Sequence, residues 1–232
     1  MTAPPSSPVA LDQDRAWQVI VAERLRLADL LDELSDGDWE QPSLCAGWSA
    51  RDVAAHITLQ QLGARGAAGM MITYRGDTDR AIRESARKRS AAWPTGKIIA
   101  EIRATAGSRR HNFGVTYRET LIDVLVHAQD IAIPLARPHP MPPEATATAA
   151  TRVWTMRWPP PFPASRVMER FRVTATDIDW SAGQGPRVSA PIGAILLLSA
   201  GRIAALPQVS GPGTAELTAS LTMSAGKQVS GN

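Results

Sequence analysis

A mainly helical chain with a small α/β part is the fold class that this sequence predicts, and three observations predict it. The first 136 residues repeat apolar side chains at helical spacing, residues 137–143 (RPHPMPP) form a stiff proline-rich break, and strand and turn chemistry appears only beyond that break. The expected architecture is a four-helix bundle over residues 10–136 followed by a small α/β domain over residues 144–226.

Between residues 12 and 34, Trp17, Ile20, Val21, Leu27, Leu30, Leu31 and Leu34 recur at steps of three and four, which predicts one long amphipathic helix. Ser35-Asp36-Gly37-Asp38 ends it. A polar loop with Trp39, Pro42 and Gly47 follows. Ser49 and Asp52 then stand at the spacing of a capping box, with Trp48 and Val53 at the spacing of a hydrophobic staple. The helix so started is expected to reach about Leu62 and carries His56. Residues 77–92 predict a charged, exposed helix that breaks before Pro94, and Ile98, Ile99 and Ile102 mark a short one ending near Gly107. From residue 116 to 133, Leu121, Ile122, Val124, Leu125, Val126, Ala128, Ile131 and Ala132 leave almost no polar face. That helix is expected to be buried nearly all round, at the centre of the bundle.

Beyond the break, residues 144–158 predict a helix and residues 170–176 (RFRVTAT) alternate like a half-buried strand. Gly183-Gln184-Gly185-Pro186 is turn chemistry, Val188 marks a second strand, and Pro191 opens an apolar helix closed by Gly201. From Thr218 a weak strand is expected to fade into a disordered polar tail at residues 227–232.

Composition excludes several function classes. At 232 residues and 44% hydrophobic, the chain can bury roughly 70–75% of its unfolded surface, so neither disorder nor disulfide staples are expected. The apolar run at residues 191–200 is about half the ~20 residues of a membrane span, and residues 1–8 lack the features of a signal peptide. A cytoplasmic address and no membrane partner are therefore expected. Cys45 is the single cysteine, which excludes an internal disulfide and a cysteine-based zinc ribbon; eleven positions before His56, it is expected to be a small buried residue, against a fourth metal ligand. The 25 basic residues nearly cancel against 22 acidic ones, leaving +3, and Arg87-Lys88-Arg89 reads as a solvated helix face, so no nucleic-acid partner is expected. Dinucleotide, P-loop and serine-hydrolase motifs are absent.

The chemistry concentrates in the apolar helix at residues 116–133. Asp123, His127 and Asp130 project from one face, and Glu119 extends the stripe one turn upstream. Carboxylates in such a helix need a compensating cation, either a metal ion or an arginine such as Arg51 or Arg118. An Asp-x3-His pair offers one oxygen and one nitrogen to a single ion, and His56 is the candidate third ligand. His111 and His139 read as loop residues.

Taken together, Gly47-Trp48-Ser49-Ala50-Arg51-Asp52-Val53-Ala54-Ala55-His56-Ile57 and Asp123-Val124-Leu125-Val126-His127-Ala128-Gln129-Asp130-Ile131 resemble the mycothiol-dependent maleylpyruvate isomerase family. Residues 176–186 (TDIDWSAGQGP), residues 191–202 and Gly211-Pro212-Gly213 resemble that family's small second domain. The resemblance implies a DinB-like metal-binding four-helix bundle followed by a sterol-carrier-like α/β module. It also implies a divalent ion, zinc, held by His56, Asp123 and His127, with aspartate where the isomerase has glutamate. Mycothiol would be the thiol cosubstrate. The implied activity is thiol transfer to, or thiol-assisted isomerisation of, a small electrophile; the alternative is a non-catalytic module that binds a divalent metal or a small ligand. Asp130 would orient a metal ligand or pair with an arginine. Arg202 is a candidate anion-binding residue, against a snorkelling surface arginine. Residues 107–116 (GSRRHNFGVT) set this chain apart from members tied to maleylpyruvate.

Overall fold

The computed structural model describes residues 5–6, 10–61, 77–111 and 114–230. The expected helix end at Leu62, most of residues 1–8, part of the 107–116 loop and the last two residues lie outside them. The chain divides into two compact units, residues 13–139 and residues 1–12 with 140–232.

The first unit is helical. Its elements are α1 (Gln13–Asp32), the short α2 (Asp36–Trp39), α3 (Ala50–Thr58) continuing as a 3-10 turn (Leu59–Gln61), α4 (Thr78–Ala92), α5 (Thr95–Thr105) and α6 (Tyr117–Ala132). Helix starts follow local capping chemistry. Ser49 Oγ accepts from the Asp52 amide at 3.3 Å while Asp52 Oδ2 accepts from the Ser49 amide at 3.2 Å. Ser35 and Asp38 form a second such box, so the run expected only to end α1 also starts α2. Glu119 closes a third box on Thr116, at 2.7 Å from its amide, rather than extending the Asp123 stripe.

Helices α1, α6, α3 and α5 form a ring: α1 packs on α6 and α5, and α3 on the same two. Thus α6 is one wall of the bundle rather than its axis. Its apolar residues are buried on several sides all the same, and Leu121 and Leu125 are fully enclosed with Leu27, Leu31, Ile98 and Ile102 from the other walls. Each such side chain contributes roughly 1.5–3 kcal/mol of burial. Helix α4 packs on α3 through Ala81 and Ala86, so only part of its surface meets the expectation of an exposed helix.

The second unit contains α7 (Pro143–Thr155), α8 (Pro163–Met168), a three-stranded sheet, α9 (Ile192–Ser199) and α10 (Thr214–Ser230). In the sheet, β1 (Arg172–Ala175) lies centrally, antiparallel to β2 (Ser181–Ala182) and parallel to β3 (Arg187–Ala190). The turn between β2 and β3 demands glycine: Gly183 has φ +73°, and a Cβ there would lie 2.1 Å from the Phe171 carbonyl oxygen. Two indoles anchor the core, Trp154 donating to Ser199 Oγ at 3.1 Å and Trp180 to Thr151 Oγ1 at 2.9 Å. The strand expected after Thr218, and the described part of the tail expected at residues 227–232, are instead helix α10, which ends at Ser230. Leu217 and Leu221, four residues apart, are both buried, a helical spacing hidden by the threonines and serines around them. Among the described residues, no helix is long and apolar enough to cross a membrane.

Candidate metal centre

Two walls of the bundle bring the candidate ligands together. The capping box at Ser49 fixes the start of α3 and so the rotation at which His56, two turns on, faces α6. On α6, Asp123 and His127 are half-buried in a stretch, Thr120 to Ala132, whose other residues are buried. Asp123 Oδ1 lies 3.2 Å from His127 Nε2 and 3.6 Å from His56 Nε2, and the three donor atoms all lie within 4.8 Å of one another. The two imidazoles meet edge to face with centroids 4.9 Å apart.

The set fits a divalent ion. Tetrahedral zinc with bonds of 2.0–2.1 Å separates its ligand atoms by about 3.3 Å, and the two contacts to Asp123 Oδ1 bracket that value. Two atoms of the cluster are also orphaned: Asp123 Oδ2 and His56 Nδ1 are buried without a hydrogen-bond partner. A purely structural Asp-His pair would leave these groups desolvated at a cost of roughly 1–3 kcal/mol each.

The electrostatics follow from the same contacts. Burial works against ionising Asp123, but the charges and hydrogen bonds of His127 and then His56 outweigh it and hold the carboxyl well below the usual carboxylate range. Burial also opposes protonation of His127, yet the Asp123 charge and hydrogen bonds to Asp123, Asp130 and Cys45 raise the imidazole well above its ordinary value.

Asp130 is fully buried, and its Oδ2 accepts from His127 Nδ1 at 2.8 Å. The arginines weighed as partners for the stripe are engaged elsewhere. Arg51 donates to Glu40 and to the Trp93 carbonyl, and Arg118 donates to the Tyr117 hydroxyl. A different arginine stands near: Arg24 of α1, only 2% exposed, donates to the Ala106 and Ser108 carbonyls and to Gln60 Oε1 and feels the Asp123 charge. Arg202 belongs to the other unit, where its guanidinium donates to the Ala200 carbonyl at 2.7 Å.

Three features escaped the sequence reading. Cys45 is half-buried rather than buried, and its thiol donates to Asp130 Oδ2 at 3.1 Å. The Trp48 ring lies against His56, with centroids 5.3 Å apart. His139 does sit in irregular chain, yet it is buried, with Nε2 3.1 Å from Glu23 Oε2. The histidine between two prolines gave no hint of a partner more than a hundred positions upstream.

With the geometry established, comparison with known proteins bears on its origin. Residues 20–109 match the family described as the mycothiol maleylpyruvate isomerase N-terminal domain. The match covers less than half of the chain. The family match contains His56 and ends before α6, so Asp123 and His127 lie beyond it. The fold is similar to the crystal structure of a histidine-to-alanine mutant of mycothiol-dependent maleylpyruvate isomerase. That likeness has a TM-score of 0.55 at 14% identity and covers 83% of this chain and 90% of that one. It supports the expected helical bundle with a small α/β part. A comparison with curated protein sequences finds no match.

Proposed function

We propose that the protein is a metal-dependent enzyme that uses a low-molecular-weight thiol, mycothiol, to transfer to or isomerise a small electrophile. The observation that carries this reading is the convergence of His56 Nε2, Asp123 Oδ1 and His127 Nε2 beside two orphaned buried atoms. The domain family and the neighbouring fold, whose names specify mycothiol, supply the thiol.

His56, Asp123 and His127 would hold the ion, and three protein ligands leave one position for an exchangeable group, whereas structural zinc is ordinarily closed by four. A divalent ion there supplies positive charge that favours thiolate over thiol near neutral pH. The protein's own part is orientation. Asp130 accepts the Nδ1 proton of His127 and so turns Nε2 toward Asp123, while Trp48 walls the His56 ring. In the isomerising form, the thiolate sulfur bonds to one carbon of a cis double bond conjugated to a carbonyl, and the π electron pair moves onto the carbonyl oxygen as an enolate; rotation follows about the resulting single bond, and return of the pair expels the thiolate and restores the double bond as trans. In the transfer form the sulfur stays bonded and a leaving group departs with the electron pair.

Cobalt substitution tests the reading. Adding mycothiol to the cobalt protein is expected to produce a sulfur-to-metal charge-transfer band, and Asp123→Ala is expected to show none. Turnover of an electrophile that survives complete metal removal would refute the mechanism; no thiol-induced change in the fully loaded protein would favour a non-catalytic metal-binding module.

A further inference from the structure

We infer that Cys45 is a positioning residue for His127, acting through Asp130, and that the loop of residues 43–48 fixes both imidazoles of the metal cluster. The inference rests on the metal-site reading above, but its geometry does not depend on an ion. The thiol of Cys45 and Nδ1 of His127 donate to the same oxygen, Asp130 Oδ2, at 3.1 and 2.8 Å. Asp130 is fully enclosed, so its carboxylate depends on donors from the protein. With both donors present the carboxylate has one orientation, and the imidazole it holds presents Nε2 to Asp123.

The loop that delivers Cys45 is tied at many points. Ser43 Oγ accepts from the Cys45 amide at 3.1 Å and donates to the Trp48 carbonyl at 2.9 Å. The Trp48 amide donates back to the Cys45 carbonyl at 3.0 Å, and the Leu44 amide donates to the Asp130 carbonyl at 3.1 Å. One loop therefore anchors Cys45 under His127 and Trp48 against His56.

Cys45 is not placed as a ligand to the same ion. It lies on the Nδ1 edge of His127, 3.8 Å from that nitrogen, whereas the cluster with His56 and Asp123 uses Nε2. On the Nδ1 edge the contacts to Asp130 are hydrogen bonds already made; the orphaned atoms belong to the other cluster.

Zinc affinity, measured by chelator competition on the full chain, is to be compared among wild type, Cys45→Ala and Cys45→Ser, with nitrogen NMR of the His127 ring in the ion-free proteins. Cys45→Ala is expected to weaken zinc binding by about tenfold or more, the usual effect of losing a group that orients a metal ligand. It should also speed exchange of the His127 Nδ1 proton. Cys45→Ser, whose hydroxyl can still donate to Asp130, should recover most of both. Equal affinity and equal exchange in all three proteins would overturn the inference. So would a sulfur-to-cobalt band in wild type without added thiol that Cys45→Ser abolishes, because Cys45 would then be a ligand. If wild type binds no zinc, the functional reading fails, and the ion-free exchange series alone decides the role of Cys45.

Discussion

Binding of zinc should expel one proton from His127, and apparent zinc affinity should therefore fall steeply with acid. Both ring nitrogens face carboxylates, Nδ1 at 2.8 Å from Asp130 and Nε2 at 3.2 Å from Asp123, an arrangement that only the doubly protonated ring satisfies. The same contacts, against the opposing effect of burial, raise the imidazole well above its ordinary value, so the ion-free ring keeps its second proton to higher pH than a free imidazole does. An ion on Nε2 must displace that proton. Each pH unit below the ion-free value then costs a factor of ten, about 1.4 kcal/mol, so zinc should bind progressively more weakly as the pH is lowered through that value. Chelator competition at several pH values gives the slope, and calorimetry in two buffers of different ionisation enthalpy gives the proton count. A flat affinity, or a proton count near zero, would refute the protonation state assigned to the pair. Stability should carry the matching sign. In the ion-free protein the raised imidazole contributes stability that is fully present below about 6.5 and lost as pH rises through its folded value. The depressed Asp123 contributes stability that is present above about 3.8 and lost as pH falls through its folded value. The ion-free melting temperature should thus decline on the alkaline side, where zinc binding, and the stabilisation it brings, grows.

Two predictions concern the scaffold. Leu125→Ala, a fully enclosed residue between the ligands of α6, should destabilise the bundle by about 2–5 kcal/mol in urea unfolding, and a loss below about 1 kcal/mol would contradict the packing described. Glu23→Ala removes a hydrogen-bond partner of the buried His139, and one of Arg26, and should cost about 1–3 kcal/mol, while Glu23→Gln, which keeps a polar side chain in contact, should cost clearly less; equal losses in the two would show that the pairing contributes nothing specific.

What the sequence made legible was local. The capping box at Ser49 involves residues three apart, and the apolar spacing of α1 and α6 is written in consecutive turns, so starts, faces and burial could be read directly. The i, i+4 pair Asp123 and His127 was legible for the same reason. What stayed hidden depends on contacts between distant segments. No spacing rule links Cys45 to Asp130, or Glu23 to His139, because those contacts exist only once the walls of the bundle have closed. Helix α10 was missed for a different cause. Its threonines and serines carry weak helical preference, and burial of Leu217 and Leu221 overrides that preference in a way a short window does not reveal.

These two levels explain how a polar stripe can persist in a helix as apolar as α6. A carboxylate and an imidazole enclosed among leucines and valines destabilise the fold unless something compensates them, and within the bundle the compensation is mutual: Asp123 with His127 and His56, His127 with Asp130, Asp130 with Cys45. The series is satisfied at its Cys45 end and incomplete at its other end, where Asp123 Oδ2 and His56 Nδ1 lack partners. Packing alone would have no reason to leave the deficit on the atoms of the two residues that converge with His127 Nε2. A cation held by the three donors would supply the compensating charge there in place of a shared proton.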